Sequence, residues 1–146
     1  MYKKIELTNL YEVIRKLDAK SIDATTRSKM LSNTIAAKRI ATEVEEAKKT
    51  VVESISDEER KANDVITELQ KKVKADANYI PTEEENKAAE VVKSWNKMFA
   101  EAIAAELNTE VEVLLKKITS DELDKIADKN NLTMDELVLL SEMIVE

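Results

Sequence analysis

The sequence predicts a mainly α protein: a long antiparallel helical hairpin with short helices and a small two-stranded β ribbon. Three observations carry this. The chain of 146 residues is 43% apolar and 36% charged, a balance of long amphipathic helices. Aromatic residues are only 3% of it, so its core is aliphatic and set at helix–helix seams. Thr82/Glu85, Thr119/Glu122 and Thr133/Glu136 each have the T-x-x-E spacing of a capping box, in which hydroxyl and carboxylate satisfy opposite backbone N–H groups at a helix start.

Taken in order, residues 3–8, KKIELT, alternate polar and apolar and predict a short half-buried strand. Asn9 with Glu12 then opens a helix over residues 10–19, its stripe Leu10, Val13, Ile14 and Leu17. Residues 21–23 break it. From about Ala24 a long helix begins, with Leu31, Ile35, Ile40, Val44, Ala47, Val51 and Ile55 inward and one slip near Ile40. Ser56-Asp57-Glu58-Glu59 has the form of a helix start, so the helix either kinks there or runs through. Ala62, Val65, Ile66, Leu69 and Val73 continue the stripe to about Asp76.

Tyr79-Ile80-Pro81 marks a turn, and Thr82 caps an antiparallel return helix lined by Ala88, Val92, Trp95, Phe99, Ala102 and Ile103, ending near Asn108. Residues 109–118 switch to period two, with Val111, Val113 and Leu115 on one side and Glu110, Glu112 and Leu114 on the other. They are expected to pair with KKIELT as a ribbon. Thr119 and Thr133 start two short helices, with Asn130-Asn131 between them to supply a left-handed residue. The whole chain reads as one domain: residues 1–20, a hairpin over 24–107, and 109–146.

Composition excludes much chemistry. Glycine, histidine and cysteine are all absent. There is no glycine-rich phosphate loop, no ordinary near-neutral acid–base group and no thiolate, so an enzyme, a cofactor or a metal centre is not expected. The carboxylate runs at residues 43–46, 57–59 and 83–85 lack calcium-loop spacing, and the di-iron bundle pattern needs histidine. They read as caps and solvated faces. No apolar run is long enough to span a membrane, and residues 1–17 lack the continuous apolar segment of a secretory signal.

Charge is uneven. Residues 1–50 hold 11 Lys/Arg against 7 Asp/Glu, while residues 101–146 hold 4 against 12. The two ends are thus suited to meet, within one molecule or between copies. Arg15, Lys16, Lys20, Arg27, Lys29, Lys38 and Arg39 cluster in one basic stretch. It could follow a phosphate backbone, but it contains no aromatic for base stacking, so a solvated face or a protein contact is the stronger reading. Trp95 and Phe99 read as core anchors.

The segments IELTN (5–9), YIPTEEENKAAE (79–90), WNKMF (95–99), LNTEVEVLLKKI (107–118) and LTMDELVLLSEMIVE (132–146) together resemble an uncharacterised family of short helical proteins from tailed phages and prophages. The shared features are Leu7-Thr8-Asn9, the Tyr79-Ile80-Pro81 turn, Leu132-Thr133 and Met143-Ile144-Val145-Glu146. The resemblance implies a phage setting, in the host cytoplasm or the virion, and brings no catalytic or binding residue with it.

The expected function is that of a non-enzymatic virion component or assembly factor. Its partners would be proteins: further copies of the chain or a larger phage assembly. The contact stripes are Ile40, Val44, Val51 and Ile55, then Val65, Leu69 and Val73, with Arg15, Lys16, Arg27, Lys29, Lys38 and Arg39 as the charged candidates. The alternative is a small acidic inhibitor of a host factor, using the C-terminal third as a nucleic-acid mimic; a nucleic-acid-binding accessory protein comes third.

Overall fold

Six α-helices and one two-stranded antiparallel ribbon make up the computed structural model, which describes every residue from Met1 to Glu146. In order they are β1 (Tyr2–Lys3), α1 (Lys4–Ile14), a 3₁₀ turn (Ala19–Ser21), α2 (Ala24–Glu53), α3 (Asp57–Ala75), α4 (Glu83–Asn108), β2 (Glu110–Val111), α5 (Ser120–Lys129) and α6 (Met134–Ile144). The chain divides into two compact units. One comprises residues 1–45 and 106–146, the other residues 46–105, and the division falls inside α2 and α4.

In the first unit the strand expected over residues 3–8 is mostly helix. Ribbon pairing is limited to Tyr2 opposite Val111 and Lys3 opposite Glu110. The helix starts well before Asn9 because the Glu6 carboxylate accepts the Lys3 backbone N–H at 2.7 Å. Leu7 then heads the stripe Leu7, Leu10, Val13 and Ile14, all buried. Ile5, the other half of the apparent alternation, stands 38% exposed. A run of six residues fits both periods, and the longer 3–4 spacing decides it.

α2 begins at Ala24 as its pattern predicts, but its inward face differs. Thr26, Met30, Asn33, Ala37, Ile40 and Val44 are buried, whereas Leu31 and Ile35 are 60% and 63% exposed. The true stripe has no slip. It was masked because two inward positions are polar and hydrogen-bonded. Thr26 Oγ1 donates to Glu122 at 2.6 Å. The Asn33 amide accepts the Lys116 N–H at 2.6 Å and donates to the Lys116 carbonyl at 2.9 Å. Asn33 thereby does for residues 112–118 what a neighbouring strand would do. That segment keeps its alternation, with Leu115 buried and Leu114 81% exposed, but of the expected strand over residues 109–118 only Glu110 and Val111 pair in the ribbon. Its end is tied to the C-terminus, where the Ile118 N–H donates to the Ile144 carbonyl at 2.8 Å.

α5 and α6 start at the two Thr–Glu capping boxes as expected. No residue has positive φ, so Asn130 is not the left-handed residue expected there. Its extended backbone is held instead by its side chain, which donates to the Ile126 carbonyl at 2.8 Å and accepts the Asp18 N–H at 2.9 Å. Fifteen buried apolar residues, Ile22 before α2 among them, form one core; the others come from α1, α2, residues 115–118, α5 and α6.

In the second unit the helix does not run through Ser56. α2 ends at Glu53, and Ser56 caps α3, accepting the Glu59 N–H at 3.2 Å while Glu59 accepts the Ser56 N–H at 3.1 Å. α3 and α4 are antiparallel: Ile55, Glu59 and Asn63 line a small pocket with Val92, Trp95 and Asn96, while Lys72 at the other end meets Glu85 at 3.4 Å.

Candidate interaction surfaces

The turn between α3 and α4 is built around one carboxylate. Glu85 is 6% exposed, and its carboxylate accepts the Thr82 N–H at 2.9 Å and the Tyr79 hydroxyl at 2.7 Å. The Glu85 N–H in turn donates to Thr82 Oγ1 at 3.2 Å. Lys72 pairs with Glu85 and lies 5.5 Å from the centre of the Tyr79 ring. The backbone hydrogen bond from Thr82 comes first, then that from Tyr79. Together they hold the Glu85 carboxyl at about 2, against 4.5 for an ordinary glutamate. The hydrogen bonds from Thr82 and Tyr79 and the Lys72 pair converge on Glu85, so the cluster locks the turn.

Beyond this turn the second unit is thinly closed. Ala62, Ala88 and Glu85 are its only buried residues. Val51, Ile55, Val65 and Leu69 are half-buried, and Val73 is 42% exposed. Trp95 stacks on Phe99 at 5.2 Å, yet both rings are half-buried. The indole N–H of Trp95 is enclosed without an acceptor, which costs its hydration and marks incomplete packing. Ile40 and Val44, the first members of the expected contact stripe, are 2% and 0% exposed. Both are corrected from surface to interior, Ile40 as a member of the first unit's core cluster.

The basic residues are divided by the fold. Lys16 pairs with Glu136 at 3.4 Å and Lys29 with Glu122 at 3.7 Å. Lys4 pairs with Glu106 and, at 3.5 Å, with Glu43, and its ammonium pKa is raised by the hydrogen bond to Glu106. The basic front and acidic back thus meet within one molecule. Arg27 donates to the Ala19 carbonyl at 2.9 Å and the Ile22 carbonyl at 2.6 Å, closing the 3₁₀ turn. Arg15 pairs with Glu12 at 3.3 Å and lies 5.9 Å from the centre of the Tyr11 ring. Lys20, Lys38 and Arg39 are exposed and make no ion pair.

The sequence pattern did not foresee a groove of about 320 Å³ where α1, the 3₁₀ turn and α2 converge, floored by Ile14, Leu17, Ile22 and Met30 and flanked by Leu31. Its signal lay in the 26–30–33–37 spacing, which turns Leu31 and Ile35 outward. No helix is long and apolar enough to cross a membrane, and no group of three acidic residues is arranged to hold a metal ion. No protein-family model, curated protein or solved structure matches the chain.

Proposed function

We propose that this chain is a non-enzymatic protein that assembles with further copies of itself through the helical faces of residues 46–105, as a virion component or assembly factor of a tailed phage. The supporting observation is the thin closure of that unit, where Val65, Ile66, Leu69, Val92, Trp95 and Phe99 all keep part of their apolar surface in water. Such surface raises the free energy of an isolated chain, and a second copy laid on it removes that cost. The phage setting comes from the order of motifs along the sequence. The acidic-inhibitor reading has less support, since Glu122 and Glu136 are engaged in helix caps and ion pairs with Lys29 and Lys16.

Size-exclusion chromatography with light scattering, run at low and high salt, tests it. An apolar seam predicts a defined oligomer that persists in high salt, because screening weakens charge pairs and spares hydrophobic contact. Leu69→Glu should dissociate it. A monomer at every concentration would overturn the proposal.

A further inference from the structure

The first unit carries a second surface of a different kind. Residues 24–42 of α2 contain no aspartate or glutamate, in a chain that has 30 of them, yet include Arg27, Lys29, Lys38 and Arg39. Leu31 and Ile35, one helical turn apart, project from this acid-free stretch at 60% and 63% exposure. Leu31 flanks the groove floored by Ile14, Leu17, Ile22 and Met30, with Arg15 and Arg27 at its sides. The fold has therefore set Leu31 in water beside an apolar depression, with Ile35 exposed one turn further along the helix and the exposed Lys38 and Arg39 next after it.

We infer that this groove docks an acidic amphipathic helix of a partner protein. The apolar floor takes the apolar stripe of the incoming helix, and its flanking carboxylates meet Lys38, Arg39 and Arg15. The chemistry distinguishes this occupant from the alternatives. A phosphate backbone gains nothing from an apolar floor, and the stretch has no aromatic on which a base could stack. A bilayer would take the projecting Leu31 and Ile35 but would leave the concave floor of Ile14, Leu17, Ile22 and Met30 unfilled, whereas the side chains of a helix fill it. The lining residues Ile14, Leu17, Ile22, Met30 and Leu31 all belong to the first unit and none to residues 46–105, so the inference is tested separately from self-assembly.

Three fluorescein-labelled peptides of about five helical turns test it. They share one leucine face and carry glutamate, glutamine or lysine on the rest. Fluorescence anisotropy against the full chain should rank glutamate above glutamine above lysine, with about tenfold or more between the first and last at low salt, and this gap should shrink as salt rises. Methyl NMR should place the shifts at Ile14, Ile22, Met30, Leu31 and Ile35. Leu31→Glu should weaken the glutamate peptide about tenfold or more while leaving the thermal unfolding curve and the light-scattering mass unchanged. Met134→Glu, at a 74% exposed position on α6, should leave peptide binding unchanged. The inference is overturned by absence of binding, by equal binding of all three peptides, by shifts elsewhere, or by binding that survives Leu31→Glu. Binding of the full chain to anionic vesicles or to single-stranded DNA that Leu31→Glu abolishes would overturn it equally, because the surface would then serve another partner.

Discussion

Two regions of one chain, similar in apolar content, reach different degrees of closure. Residues 1–45 and 106–146 gather fifteen buried apolar side chains into one cluster, from helices that approach one another from several directions. Residues 46–105 bury Ala62, Ala88 and Glu85. The second region has Val, Ile, Leu, Trp and Phe at helical spacing, but mainly two antiparallel helices on which to arrange them. A helix pair covers one side of each stripe and leaves the other side wet. Burial depends on how many surfaces converge as much as on how many apolar residues are present. The region that lacks a third surface is the one to which the proposed self-assembly assigns it.

The comparison can be broken by making the same deletion in both regions. Leu140→Ala, at a 0% exposed site, should cost about 2–5 kcal/mol in chemical denaturation. Leu69→Ala, at a half-buried site in α3, should cost under about 1 kcal/mol in the dilute monomer. Equal costs would mean that the two regions are equally closed.

Next in size is Asn33→Leu. It strands the N–H and carbonyl of Lys116 inside the first unit and should cost about 1–3 kcal/mol. Hydrogen exchange should show residues 112–117 losing protection more than α1 does.

Ser56→Ala removes the α3 cap and should cost about 1 kcal/mol, read most directly by Trp95, the chain's single tryptophan, which reports on residues 46–105 alone.

Glu85 gives the smallest effect and the most specific one. Its carboxyl pKa is depressed from 4.5 to about 2, so its stabilisation is fully present above pH 4.5 and is lost as pH falls toward about 2. Trp95 fluorescence of a partly denatured sample should report unfolding across that window. Glu85→Gln should flatten the response there while lowering stability at neutral pH.

The mainly α fold and several helix starts were legible in the sequence, and the contrast in closure was not. α4 was bounded by Thr82 and Asn108, and α5 and α6 by their Thr–Glu boxes, because a capping box is a local signal with a local cause. The N-terminal strand was misread because KKIELT satisfies period two over six residues, while Leu7 belongs to a longer helical stripe. The inward face of α2 was misread because Thr26 and Asn33 are polar and yet buried. Their partners, Glu122 and Lys116, lie more than eighty positions away in sequence. The groove beside Leu31 is hidden in the sequence for the same reason: apolar spacing alone places Leu31 inward, whereas it stands 60% exposed. Ile40 is interior rather than interface because it joins the cluster that α1, α5 and α6 build, which no local pattern encodes.

Amide hydrogen exchange across a series of protein concentrations tests the central claim most directly. The account predicts constant, strong protection of α1, α5 and α6. Amides of residues 62–69 and 91–99 should be weakly protected in dilute solution and gain protection as concentration rises. Protection of α3 and α4 that equals that of α1 at every concentration would contradict it, for the second region would then be closed without a partner.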